Sequence, residues 1–316
     1  MAMKSWRSRL LATYLGISHP YRWWASRRWC ARGLAPISIL FHHRIADDRK
    51  NDWTISCAAF ERQLDWLQQH REIISLAEAQ ARISAGRNDR LAVCITFDDG
   101  YADNCLFAVP LLLKRSIPFT YFVTTKHIAR QEPFPHDARR GLPLAPNTVD
   151  QIRAMADAGV EIGVHSRSHV DFGQINELQV VEDEIVGAKQ EIEGWIGRAT
   201  RFFAFPFGMP QNLSCPAIDV IRQSGLSGFC SAFGGYNWPR CDSFHLRRFH
   251  ADEDFQQFLN WVTICPRKQV LTERAAAHIP CSASSGSVSS GSASSGSASL
   301  PASAGQAPQC LSRVES

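Results

Sequence analysis

Short apolar runs punctuate the middle of the chain at residues 37–41, 91–96, 119–123, 160–164, 201–205, 226–230 and 246–249. Each is four to six residues long and ends in polar or turn residues, the pattern of a buried strand. Between them, apolar residues recur at three- and four-residue spacing. Phe60, Leu64 and Leu67 form one such set, and Leu106, Val109, Leu112 and Leu113 another, with Pro110 in its path. Residues 148–158, 177–195 and 217–224 continue the series, the first stopped by Gly159 and the last by Gly225. That spacing predicts helices, and glycine suits the left-handed residue that ends one. Strand and helix in alternation imply a parallel sheet, either doubly wound or closed into a barrel. In both arrangements chemistry gathers beyond the carboxyl ends of the strands.

The pattern divides the chain into three zones: a lead over residues 1–33, the periodic region over 34–275, and a Ser/Gly/Ala-rich tail over 280–316. The tail has almost no apolar bulk to offset its ordering entropy, which predicts disorder. Composition is that of a globular protein, with 45% hydrophobic and 20% charged residues among 316. The 10 cysteines contain no CxxC pair, and Cys94 sits inside an apolar strand, so mostly free thiols are expected.

The net charge of +4 is mild but uneven, and no acid precedes Asp47. Lys4, Arg7, Arg9, Arg22, Arg27, Arg28 and Arg32 share the lead with Trp6, Tyr14, Tyr21, Trp23, Trp24 and Trp29. Such a mix suits peripheral contact with an anionic membrane. A helix packed on the domain with a solvated basic face is the favoured alternative. No apolar run has the shape of a secretory signal or the length of a membrane span. A cytoplasmic location, at most at the inner face of the membrane, is therefore expected. Nothing in the pattern points to a nucleic-acid partner, and the oligomeric state is left open.

The strand ends carry one chemical set. His42-His43-Arg44 follows the first strand and Asp98-Asp99-Gly100 the second. His165-Ser166-Arg167-Ser168-His169 follows the fourth, and His245, Arg247, Arg248 and His250 surround the last. Two adjacent carboxylates at the rim of a sheet are costly unless a cation or proton neutralises them. If residues 165–169 make a helical turn, both histidines share a face and can bind one metal, with Asp99 as third ligand. Such a set leaves a position open for water, as a hydrolytic zinc site requires.

Thr96-Phe97-Asp98-Asp99-Gly100 followed by His165-Ser166-x-x-His169 resembles the polysaccharide deacetylase family, the NodB-homology domain of carbohydrate esterases. Leu40-Phe41-His42-His43-Arg44-Ile45 resembles the entry strand of that family, and Arg201–Gly208 its Pro-aromatic-Gly segment. The resemblance spans about residues 34–265. It implies a distorted (β/α) barrel, a divalent metal that is usually Zn2+, and removal of an acetyl group from an acetylated glycan or glycolipid. Asp98 resembles the catalytic base; Asp99, His165 and His169 resemble the metal ligands; the backbone N–H of Phe207 resembles the oxyanion donor.

Two positions depart from the family pattern. Ala204 stands where many members carry the arginine that orients the base, with Arg44, Arg167, Arg247 and Arg248 as possible substitutes; solvation is the favoured reading of Arg167 and Arg248. Arg248 in turn stands where a late Leu-x-His motif supplies the general acid, leaving His43 first, then His250, with His245 a further possibility. Thr96 is expected either to fix the turn by hydrogen bonding or simply to fill a strand. The polar segment 130–146 is expected to form a loop over the pocket. Trp53 and Trp238 offer aromatic faces to a sugar, with packing favoured for each. A glycan-binding module on a decayed deacetylase fold, or an amidohydrolase for another small amide, are the alternatives these departures leave open.

Overall fold

The computed structural model describes residues 2–265 and 268. Strands β1 (Ile37–His42), β2 (Ala92–Phe97), β3 (Phe119–Val123), β4 (Glu161–Val164), β5 (Phe202–Ala204) and β6 (Gly228–Ser231) pair in succession, each parallel to the next. Strand β7 (His245–Arg247) then pairs with β6, while β8 (Phe249–His250) pairs with β1. Only Arg248 separates β7 from β8. One segment therefore leaves the last strand of the sheet and joins the first, and the sheet closes into a distorted barrel.

Asn237 seals the seam at the other end. Its backbone exchanges hydrogen bonds with Ile37, and its side chain both donates to the Arg247 carbonyl and accepts from the Arg247 N–H. Nothing in the apolar pattern pointed to this asparagine.

Successive side chains on a strand face opposite ways. Ile37, Ile39, Cys94, Phe202, Cys230 and Leu246 belong to one buried cluster that fills the barrel. Leu40, Val93, Ile95, Tyr121, Ile162 and Phe203 belong to the larger cluster between barrel and helices. The helix Leu76–Ala85 supplies Leu76, Ala79 and Ile83 to the inner cluster and plugs the end where the strands begin. Extending the inner set by alternation reaches Phe41 and His43 after Ile39, Thr96 and Asp98 after Cys94, and Arg248 and His250 after Leu246. The open end of the barrel thus receives the polar residues.

The predicted helices appear with shifted ends. Pro110 falls in the first turn of Ala108–Lys114, where no intrahelical N–H is needed, and Leu106 stays outside and exposed. Thr148 caps Val149–Asp157 with a full capping box. The single helix expected over 177–195 is instead interrupted by a π-helical turn at Asp183–Gly187.

The lead forms a helix, α1 (Ala2–Ala31), packed along the helix Phe255–Val262. Arg22 donates to Asn260 Oδ1 at 2.8 Å and to Thr263 Oγ1 at 2.7 Å, and Ala25 is buried. Trp238 packs edge-on against Trp29 at 5.0 Å, so it is a core residue and not a sugar platform. Cys30, Cys57, Cys94, Cys105, Cys230 and Cys265 are free thiols. The tail over 280–316 lies outside the described residues.

Buried neutral histidines make this fold acid-sensitive. Burial pushes His42 down to about 3. Burial, and then the Arg247 charge, holds His245 well below its ordinary value. Unfolded histidines protonate near pH ~6.5, so the stability of the neutral forms is complete above that pH and is lost as pH falls below it. Between pH ~6.5 and ~5 the loss is about 2 kcal/mol for each such histidine. Thermal melts of metal-free protein should show the midpoint falling over that window, and less steeply in a His245→Gln variant.

Candidate active site

Asp98 and Asp99 diverge because the backbone turns between them. Asp98 N–H still donates to the His42 carbonyl at 2.8 Å, continuing the β1–β2 ladder. Asp99 then adopts a left-handed conformation (φ 72°) and Gly100 follows at φ 100°, a region open to glycine and strained for other residues. This turn separates the two carboxylates.

The Asp99 carboxylate meets His165 Nε2 at 3.3 Å and His169 Nε2 at 3.2 Å, both from the same oxygen. One ligand atom from each of the three residues lies within 4.8 Å of the others. The segment 165–169 is not the helical turn expected from its spacing. It is a bend in which Ser166 and His169 are left-handed (φ 60° and 58°). Ser166 Oγ accepts from His169 N–H at 2.9 Å, and Glu184 accepts from the backbone N–H groups of Arg167 and Ser168 at 2.9 and 2.8 Å. Glu184 lies on the π-helical turn and also binds the Ser168 hydroxyl. Its part in holding the loop was not visible in the sequence. Asp99, Ser166, His169 and Phe207 are four of eight non-glycine residues with positive φ among the described residues. Strain of this kind gathers where geometry serves a function.

The donor set fits a cation. His165 Nδ1 lies 2.8 Å from the Ala204 carbonyl, which can only accept, so this nitrogen carries the hydrogen. In the neutral ring, Nε2 then turns a lone pair toward Asp99. The facing Asp99 Oδ1 is buried without a hydrogen-bond partner. Two electron-rich atoms in mutual contact at a buried site call for a positive charge between them. A His-His-Asp metal site is therefore present. An Asp99→Asn or His165→Ala variant should lose bound metal, read by elemental analysis after dialysis. Metal retained at parent stoichiometry would remove these residues from the ligand set.

Asp98 lies on the inner face with Arg248, whose two terminal nitrogens donate to the two Asp98 oxygens at 2.7 and 2.8 Å. Both residues are almost completely buried. This corrects the reading of Arg248 as solvated. Its Nε donates to the Ser231 carbonyl, a terminal nitrogen also donates to Thr96 Oγ1, and its guanidinium lies 4.9 Å from the Phe41 ring centre. Thr96 in turn donates to the Leu40 carbonyl across the sheet, so its hydroxyl ties β2 to β1 and to Arg248. Burial would raise the Asp98 carboxyl; Arg248 and then His165 outweigh it and hold it below the usual range. Arg44 instead pairs with Asp103 and Asp48, and Arg167 with Asp183 and Glu191 at the surface.

His43 and His250 flank the same opening, their rings 6.2 Å apart. Each has a buried ring nitrogen without a partner, Nδ1 in His43 and Nε2 in His250. Burial pushes His43 down to about 4 against the pull of Asp99 and Asp98. His245 is elsewhere, stacked on Phe229 with Nε2 2.8 Å from Ser231 Oγ, and is a core residue. Trp53 is 40% exposed and tilts over His43 at 4.7 Å. Trp53 packs against His43 and His250, in line with the favoured reading, and keeps an exposed part at the rim. Phe207 is exposed, its ring 5.0 Å from His169. The segment 130–146 lies beside the metal ligands, with Phe134 6.1 Å from His169 and Asp137 buried under Tyr101 and Asn51.

Residues 85–227 match the family model for polysaccharide deacetylase, a span that includes Asp98, Asp99, His165, His169 and Phe207. Over this stretch the chain shows a family-level match to the polysaccharide deacetylases. It is 25% identical over 176 residues to the Bacillus subtilis protein YxkH, covering 55% of this chain and 57% of that one. It is 23% identical over 214 residues to the poly-beta-1,6-N-acetyl-D-glucosamine N-deacetylase of Staphylococcus aureus, covering 64% of this chain and 69% of the relative. Among solved structures, IcaB from Ammonifex degensii superposes with a TM-score of 0.62 at 22% identity, covering 72% of this chain and 97% of that one. The deacetylase PplD of Streptococcus pyogenes, solved with acetate, gives 0.61 at 19% identity over 72% of this chain and 97% of that one. Both structures share the fold.

Proposed function

We propose that this protein hydrolyses acetyl groups, N-acetyl in preference to O-acetyl, from a sugar of a glycan or glycolipid. The observation that carries the reading is the division of the Asp98-Asp99 pair. Asp99 joins two histidines in a cation site, while Asp98 is held ionised beside it by Arg248. Two imidazole nitrogens and a carboxylate oxygen suit zinc, the ion we assign. When bound, the ion supplies Lewis-acid activation of a water and of the acetyl carbonyl.

The side chains divide the remaining work. Asp98 accepts the proton of the attacking water. Arg248 fixes the plane of that carboxylate and keeps it charged. The backbone N–H of Phe207 donates to the oxygen that gains charge as the carbonyl is attacked. His43, with His250 beside it, is the neutral imidazole that passes on to the departing amine the proton Asp98 has taken from the water. Trp53 offers an exposed ring face to the sugar at the same rim. The decayed-fold alternative rested on Ala204 and the altered Leu-x-His motif, and the Arg248 clamp on Asp98 answers the first of these.

The test is mass spectrometry of N-acetylated oligosaccharides before and after incubation with zinc-loaded protein. Stepwise loss of acetyl mass with equimolar acetate release is expected. Stoichiometric metal with no acetyl loss from any N- or O-acetylated glycan would overturn the reading.

A further inference from the structure

Helix α1 uses only one side to pack on the barrel. A solvent-facing flank presents Trp6, Leu10, Ile17, Tyr21 and Trp24, which are 50%, 59%, 77%, 41% and 49% exposed. At about 100° per residue, these five fall within a sector of about 60°. They form one stripe about 27 Å long. Scattered exposed apolar residues are ordinary, but an aligned stripe of large ones marks an interaction surface.

The charges around the stripe select its occupant. Arg7 and Arg9 near its start and Arg27 and Arg28 near its end are the neighbours, and no acid occurs before Asp47. Arg7, Arg27 and Arg28 lie over the rings of Trp6, Trp23 and Trp24 at 5.9, 4.5 and 5.1 Å. Arginine and tryptophan side by side are chemically matched to a phosphate headgroup above an acyl boundary. A second copy of the helix would set arginine against arginine. The chain's own tail offers serine, glycine and alanine, with little apolar surface to cover the stripe. No helix among the described residues is long and apolar enough to cross a membrane.

The direction of α1 links this surface to the site. Ser8 reaches Asp254, the cap of the helix that follows His250, at the end where the strands finish. Trp29 meets Trp238 near the start of β1. The amino-terminal part of the stripe therefore lies toward the rim that carries His250, Trp53 and Asp98. We propose that the outer face of α1 docks the protein on an anionic phospholipid bilayer and thereby presents the site to sugars carried at that surface. The second half of this statement rests on the proposed deacetylase activity; the docking does not.

The experiment uses the full chain, because Ala25 and Arg22 tie α1 into the fold and its deletion would disturb the barrel. Co-sedimentation is measured with vesicles of phosphatidylcholine alone and of phosphatidylcholine mixed with phosphatidylglycerol. Binding to the anionic vesicles only, weakened by salt, is expected. A Leu10→Ser/Ile17→Ser/Trp24→Ser variant should bind at least about tenfold more weakly. An Arg9→Gln/Arg27→Gln variant should lose the preference for phosphatidylglycerol. Circular dichroism and acetate release from soluble oligosaccharides should be unchanged in both. Equal vesicle binding by parent and triple variant would overturn the proposal. So would a parent that stays in the supernatant, including one that forms a dimer abolished by the same substitutions. Vesicle binding without acetyl release overturns the activity alone, and acetyl release without vesicle binding overturns the docking alone.

Discussion

Replacing Asp98 by asparagine is expected to lower kcat for acetate release by about 10²–10⁴-fold, the usual contribution of a positioned proton acceptor, while the protein still takes up its metal. The amide keeps the size of the carboxylate and can still accept from Arg248, but it cannot take a proton from water. The two effects separate because Asp98 is not among the three converging ligands. Elemental analysis and turnover on one preparation decide the matter. Metal at parent stoichiometry with turnover near background supports the assignment. Turnover within a few-fold of the parent would remove Asp98 as the base. Loss of metal together with turnover would instead place Asp98 in the cation site. The substitution also leaves the Arg248 charge uncompensated in a buried place, so a lower melting point should accompany the kinetic loss.

The strand ends were legible because their chemistry is local. An apolar run that stops at two aspartates needs no distant residue to announce that something neutralises them. The spacing of His165 and His169 was read correctly as convergence on one cation but wrongly as a helical turn. Helical spacing is one way to bring residues four apart together; a bend with two left-handed residues is another, and it depends on Glu184 from a later helix. Arg248 was harder. It lies 150 positions beyond Asp98 and reaches it only because β7 and β8 bridge the seam of the barrel.

A signal for Arg248 did exist in the sequence. Leu246, Arg248 and His250 alternate, as do Cys94, Thr96 and Asp98, so each set shares one face of its strand. Reading that alternation would have turned Arg248 inward. Ala204 is also part of the inner cluster. The position that lacks the customary arginine and the position that carries an unexpected one therefore belong to the same interior. Arg248 supplies, from the link between β7 and β8, the charge that Ala204 cannot. Ala204 retains a role through its backbone, since its carbonyl orients His165.

That exchange makes Arg248 the position where stability and chemistry are most tightly joined. Truncating it, as in Arg248→Met, removes one partner of a fully buried bidentate pair, and a loss of about 3–5 kcal/mol is expected. A lysine does not rescue the site, because an ammonium cannot donate in parallel to both Asp98 oxygens. The kinetic signature should differ from that of Asp98→Asn. Without the guanidinium, burial dominates and the Asp98 carboxyl rises from its depressed value. The acid limb of kcat/KM should then move to higher pH, with residual activity recovered in more alkaline buffer. A merely structural arginine would lower activity equally at every pH. Combining Arg248→Met with Asp98→Asn removes both charges, so urea melts should find the double variant more stable than Arg248→Met alone. Additive losses in that cycle, with an unmoved acid limb, would show that the buried contact neither sets the charge of Asp98 nor holds the barrel seam.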